Sequence, residues 1–171
     1  LIGNTPSPYT RKLVALLRYR RISYEVIWGD LDKNLGLLGV EPPKVKLLPT
    51  CIVDREDGNL TPICDTTPII RQLEKQYKTR KVIPNNSVVA FLDYLVEDYA
   101  DEWWTKFMFH YRWYPQEDAK NASQLLPILQ EGVDLPSEKL SIYSDYIYSR
   151  QVSRLHVVGS NESTADLMDT L

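Results

Sequence analysis

The sequence predicts an α/β domain followed by an all-α domain. Strand and helix signals alternate over residues 1–79 in the order β-α-β-(α)-β-β-α. No strand signal appears after residue 87, and a polar linker containing Pro84, residues 80–86, separates the two regimes, so the helical domain spans 87–171. An alternating chain of this kind reads as strands covered by helices, and a strand-free remainder reads as a bundle.

The elements follow in order. Leu1-Ile2-Gly3 reads as the tail of a strand. Ser7-Pro8 opens a helix, because serine is a good N-cap and proline suits the first helical position. Leu13, Val14, Leu16 and Leu17 form its apolar stripe, with Arg11, Lys12, Arg18, Arg20 and Arg21 spaced for solvent. Ser23 to Trp28 alternates as a second strand, and strand-helix-strand implies a parallel pair. A short helix is predicted over Leu31 to Leu38. Thr50 to Asp54 and Asn59 to Cys64 form a hairpin across Asp57-Gly58, a strong two-residue turn signal. Pro62 cannot donate to a ladder, which makes the second arm an edge strand. Ile69, Ile70, Leu73 and Tyr77 give a third helix from about Pro68.

In the second half, Ser87 is read as the cap of a long helix from Val88 to about Arg112, which contains neither Gly nor Pro. Tyr114 to Pro136 reads as a mixed connection with a short helix at Gln124 to Gln130. Ser137 starts a helix to about Val157, and Gly159-Ser160-Asn161 stops it before another at Glu162. The apolar pattern of Leu167, Met168 and Leu171 then breaks off without a cap, and the first residue is Leu1. Both predict a chain shorter than the whole protein.

Composition excludes several classes. Of the 171 residues 43% are hydrophobic and 25% charged, which is globular composition, and the net charge of −3 with interspersed Lys and Arg gives no basic patch for nucleic acid. No apolar run reaches the length of a membrane span or a secretory h-region. His110 and His156 stand alone, and no cluster has metal-ligand spacing, so no metal is expected. If the Asp57-Gly58 turn holds, Cys51 and Cys64 lie directly opposite each other. They are either two small buried apolar residues or a redox-sensitive pair.

Three stretches then carry a resemblance: "SPYTRKL" at the first helix, "LLPT" before the hairpin, and "CDTTPII" at the third helix. In this order and spacing they resemble the cytosolic glutathione transferase family, bacterial type, with a thioredoxin-like first domain. "DEWWTKFMFHYRW" and "RQVSRLHVVGSNE" also look like segments of such proteins. The resemblance implies a cytoplasmic homodimer with a detoxifying role, binding glutathione and a small hydrophobic electrophile.

It also implies roles for residues. The Leu48-Pro49 bond is expected to be cis, which turns the chain sharply. The backbone of Leu48 is then free to pair with the cysteinyl part of glutathione as a short added strand. On sequence alone an ordinary trans proline at a strand start is the favoured reading, and the cis bond is what the resemblance implies. Asp65 and Thr66 would take the ammonium and carboxylate of the γ-glutamyl end, helped by a helix N-terminus. Equally, Asp65 or Thr67 only caps that helix.

Ser7 stands where redox members of the thioredoxin fold have their first Cys, so dithiol chemistry is excluded at that position. Its hydroxyl would donate to the glutathione thiolate, with Tyr9, Thr5 or Thr10 as substitutes and Arg11 adding charge. The alternative is a plain helix cap. The run from Trp103 to Trp113 reads mostly as core, while Tyr9, Trp103, Phe107 and Tyr111 are the candidates for an electrophile pocket. The implied activity is transfer of alkyl or aryl groups to glutathione. A non-catalytic protein-interaction module and a glutathione-dependent lyase or reductase remain as alternatives.

Overall fold

The computed structural model describes residues 1–54 and 58–170. It divides into two compact units: Leu1–Ile83 with Leu129–Glu131, and Pro84–Ile128 with Gly132–Leu171.

The first unit holds β1 (Ile2–Gly3), α1 (Pro8–Arg20), β2 (Ile27–Trp28), α2 (Leu31–Leu38), β3 (Thr50–Asp54), β4 (Leu60–Cys64) and α3 (Thr66–Gln76). The four strands form one sheet in the order β2-β1-β3-β4. β1 and β2 are parallel, the other pairings are antiparallel, and β4 is the edge, where Pro62 costs no ladder bond. The second strand is shorter than its alternation suggests, with Ile27–Trp28 alone paired.

Period-two alternation along the strands creates two cores. On one face Leu13 and Leu17 of α1, Ile22, and Ile69 and Ile70 of α3 are buried against Cys51 and Ile63. On the other, Ile2 packs with Leu31, Leu35 and Val40, flanked by Ile27, Leu48 and Ile52. The sheet is thus sandwiched between α1/α3 and α2.

Arg20 departs from its sequence reading. It is not in solvent; its side chain is fully buried and lies 2.8 Å from Glu74 Oε1. Its Nη2 donates to the carbonyls of Tyr77 (2.8 Å) and Thr79 (3.3 Å), and Glu74 Oε1 accepts the Val82 N–H at 3.1 Å. The pair ties the C-terminal ends of α1 and α3 to the segment that follows α3.

The cysteines also differ from expectation. The ladder pairs Cys51 with Ile63, Cys64 with Thr50, and Asp54 with Leu60. A two-residue turn would pair Asp54 with Thr61, so the register is offset by one residue. Side chains alternate across a strand, so that offset places Cys51 and Cys64 on opposite faces. Asp57 itself lies outside the described residues. Both thiols are free. Cys51 packs on the α1/α3 core, where burial pushes its pKa up. Cys64 Sγ donates to the Val45 carbonyl at 3.2 Å.

The second unit contains α4 (Ser87–Tyr99), a π-helical segment (Ala100–Trp104), α5 (Thr105–Trp113), α6 (Gln116–Glu131, whose last residues belong to the first unit), α7 (Ser137–Val152), a 3-10 turn (Leu155–Val158) and α8 (Glu162–Asp169). The long helix predicted from Val88 is therefore interrupted. Its cap is Asn86, whose side chain accepts the N–H groups of Val88 and Val89. The short helix predicted at Gln124 to Gln130 is the C-terminal half of a 16-residue one that starts at Gln116 and contains the buried Pro127. Of the aromatic run, Trp113 alone is buried, while Trp103, Trp104 and Tyr111 are about half exposed. His110 is buried, stacked on Tyr114, and its Nδ1 is 2.7 Å from Ser160 Oγ. Asn161 and Thr164 form a capping box at α8. Among the described residues, no helix is long and apolar enough to cross a membrane.

Candidate functional site

The sheet register gathers the candidate residues of the first unit. Ile27, Ile2, Thr50 and Cys64 form one row across the four strands. One residue beyond this row, in the direction of β1, come Trp28, Gly3, Pro49 and Asp65, all at the C-terminal end of β1. Neighbouring strands are ~4.8 Å apart. The proline turn and the start of α3 are therefore adjacent, and α1 begins a few residues beyond Gly3. The C-terminal ends of parallel strands are where α/β sheets place their ligands.

Ser7 caps α1. Its Oγ accepts the Thr10 N–H at 3.2 Å, and among the described residues no acceptor takes the hydroxyl proton. The side chain is partly exposed. The first turn of α1 carries no acidic residue, which leaves the positive end of the helix uncompensated. Arg11 lies in that turn, with its Nε donating to the Thr5 carbonyl at 2.9 Å. Tyr9 is half-buried.

The Leu48-Pro49 bond is cis. Pro49 is fully buried, and the hydroxyl of Thr50 donates to the Leu47 carbonyl at 2.7 Å, bracing the turn. Leu48 packs its side chain on the α2 face, and among the described residues its backbone N–H and C=O make no hydrogen bond.

Asp65 caps α3 in a positive-φ conformation (φ 72°) that few residues other than glycine adopt. Its Oδ1 accepts the Thr67 N–H at 3.2 Å. Because the cap takes that donor and Pro68 has none, Thr66 is left at this helix start with an N–H that no described residue accepts. The Thr66 side chain is buried, and its Oγ1 has no hydrogen-bond partner among the described residues.

The first unit has a counterpart outside the chain. Residues 1–81 match the family model for the glutathione S-transferase N-terminal domain. By this match the first unit is similar to a glutathione S-transferase N-terminal domain. Comparisons with curated proteins and with solved structures give no match. In this domain Ser7, Leu48-Pro49 and Asp65-Thr66 lie at one end of one sheet, where the strand pairing brings them.

The remaining candidates lie in the second unit. Trp103 lies in the π-helical segment with the Lys106 ammonium 4.4 Å from its ring centre. Phe107 is half-buried. Tyr111 has its hydroxyl engaged, donating to the Met168 carbonyl at 2.6 Å. Among the described residues, no group of three or more His, Cys, Asp or Glu could hold a metal ion.

Sequence reasoning missed two contributors to this sheet end. Trp28, about half exposed, comes there through the parallel pairing of β2. Gly3 is the other. A Cβ at Gly3 would lie 2.5 Å from Thr10 Cγ2 and 3.1 Å from Thr10 Oγ1. Thr10 is fully buried and has nowhere to retreat. Gly3→Ala is therefore expected to destabilise the protein by about 1–3 kcal/mol, as overpacking does. Chemical denaturation checks this, with an unchanged midpoint showing that β1 and α1 separate at no cost.

Proposed function

We propose that the protein is a glutathione transferase that activates the glutathione thiol for addition to small apolar electrophiles. The observation that carries this reading is the state of Ser7. Its hydroxyl oxygen is held by the Thr10 N–H while no described residue accepts its proton, at the sheet end that also carries Leu48-Pro49 and Asp65-Thr66.

In this reading the extended cysteinyl backbone of glutathione pairs with the N–H and C=O of Leu48. The Thr66 N–H takes the γ-glutamyl carboxylate, and a rotation about χ1 brings the covered hydroxyl to it. The free oxygen of Asp65 pairs with the ammonium. Ser7 donates to the thiolate, and the positive end of α1 favours the same charge. Capping and ligand binding are compatible, because the cap uses the oxygen of Ser7 as acceptor and the ligand would use its proton. Tyr9, Trp103, Phe107 and Tyr111 are the residues proposed to contact the electrophile, and the protein is proposed to work in the cytoplasm, in detoxification.

Calorimetric titration with glutathione, followed by conjugation to a generic aromatic electrophile, tests the reading. Binding without any conjugation would remove the transferase and leave a glutathione-binding module. Asp65→Asn separates the two functions of Asp65. It keeps the capping oxygen and deletes the charge, so stability should change little. Glutathione affinity should fall about two- to fivefold, the scale of an exposed ion pair. Equal affinities in a binding titration would show that Asp65 is a cap alone.

One observation favours association with a second copy. None of the residues of α4 is buried, and Val88, Phe91, Leu92 and Val96 each expose more than half their surface. Homodimerisation would cover such a face. Sedimentation equilibrium tests it, with a monomer at all concentrations as the contrary outcome.

A further inference from the structure

The loop between β1 and α1 closes on itself. Ser7 N–H donates to the Asn4 carbonyl (3.1 Å), Asn4 N–H donates to Thr10 Oγ1 (3.3 Å), and Thr10 N–H donates to Ser7 Oγ (3.2 Å). Each of the three residues gives one backbone N–H and receives one, so the cycle has no free member. Two of its acceptors are side-chain hydroxyls. One is Ser7. The other, Thr10, is fully buried in the first turn of α1.

Thr10 is held from two sides. Its methyl group fills the space left by the absent Cβ of Gly3 in β1, and its hydroxyl takes the next N–H of the chain, that of Asn4. It is thus the side chain that fastens the end of β1 to the first turn of the helix. The N–H that orients Ser7 Oγ belongs to this same residue. We infer that Thr10 is a positioning residue for Ser7, fixing the direction in which the Ser7 hydroxyl presents its proton. This rests on the thiol-activating role proposed for Ser7 and adds to it a second residue, one that touches no ligand.

The mechanism is geometric. Without the Thr10 hydroxyl, the Asn4 N–H loses its acceptor in a partly buried place and the loop must rearrange to satisfy it. The Asn4 carbonyl, which holds Ser7 N–H, moves with it. Ser7 keeps its hydroxyl but no longer holds it on the line to the sulfur, and a hydrogen bond weakens steeply off that line.

The test is an ultraviolet titration of the thiolate of bound glutathione in five proteins: wild type, Thr10→Val, Thr10→Ser, Ser7→Ala and the Ser7→Ala/Thr10→Val double variant. Thr10→Val keeps the shape and deletes the acceptor. It should raise the bound thiol pKa by about half a unit to one unit, the scale of one hydrogen bond, while glutathione affinity stays within about twofold. Thr10→Ser, which keeps the hydroxyl, should restore the wild-type pKa. The double variant should match Ser7→Ala, because Thr10 acts through Ser7. Should Thr10→Val not fold, Thr10→Ala deletes the same acceptor without demanding space.

A wild-type pKa in Thr10→Val beside a raised one in Ser7→Ala overturns the inference and leaves the role of Ser7 standing. A further rise in the double variant also overturns it, since Thr10 would then act by itself. No shift in Ser7→Ala removes the role of Ser7, and the inference with it.

Discussion

Ser7→Ala is expected to raise the pKa of the bound glutathione thiol by about one to two units, because a hydrogen bond to a charged group contributes about 1.5–3 kcal/mol and one pKa unit is about 1.36 kcal/mol. Affinity should hardly change, since it rests on Leu48, Asp65 and Thr66. From a free thiol near ~8.5, the thiolate share at neutral pH then falls about tenfold. Turnover should fall by less than that share. A more basic thiolate is the better nucleophile, with a Brønsted coefficient of about 0.4–0.5, so part of the loss is returned.

The signature is therefore in the pH profile. The deficit of Ser7→Ala is largest well below neutrality and shrinks as pH rises. Past the free thiol pKa, solvent deprotonates the sulfur in either protein, the deficit vanishes, and the variant's more basic thiolate becomes the faster one. A profile of kcat/KM with an aromatic electrophile, wild type beside variant, reads this directly. Identical profiles would make Ser7 a helix cap and nothing more. The lost cap has its own cost of about 1 kcal/mol in stability, so both proteins must be compared well below their melting temperatures.

Glu74→Ala should be the more damaging change to stability, although it lies at the other ends of α1 and α3. It leaves the guanidinium of Arg20, fully buried, without its counter-charge, and it strips the Val82 N–H of its acceptor. Removing one partner of a buried pair costs about 3–5 kcal/mol. A melting temperature lower by about 10 °C follows for a chain of this size. Replacing Arg20 and Glu74 together by Met and Leu should recover part of the loss, since no charge is then left buried. The recovery is incomplete because the carbonyls of Tyr77 and Thr79 lose their donor. A denaturation midpoint for Glu74→Ala within experimental error of wild type would mean that the Arg20 guanidinium reaches water.

Local signals in the sequence determined much of the first unit. Ser7-Pro8 capped and opened α1, the apolar run and its flanks bounded α2 at Leu31–Leu38, and Pro62 marked the edge strand. These depend on dihedral preference, capping and side-chain period, which act within a few residues. The motifs "SPYTRKL", "LLPT" and "CDTTPII" pointed to the same family as the match over residues 1–81. That three distant motifs meet at one sheet end follows from the pairing of Ile2, Thr50 and Cys64.

Only the tertiary structure decided the rest. Arg20 has the spacing of a solvent-facing residue, and nothing near it in sequence announces that Glu74 will bury it. Cys51 and Cys64 part company through a one-residue offset of register, which flips one face of a strand for the other. The apolar run from Val88 onward carries a strong helical pattern, yet a π-helical segment divides it and most of its large side chains are exposed. Gly3 looks like an ordinary strand residue until Thr10 is seen filling its place. In each case the deciding partner lies elsewhere along the chain or across the sheet. A side chain's own type sets what it prefers, but its free energy is fixed by what the fold brings against it.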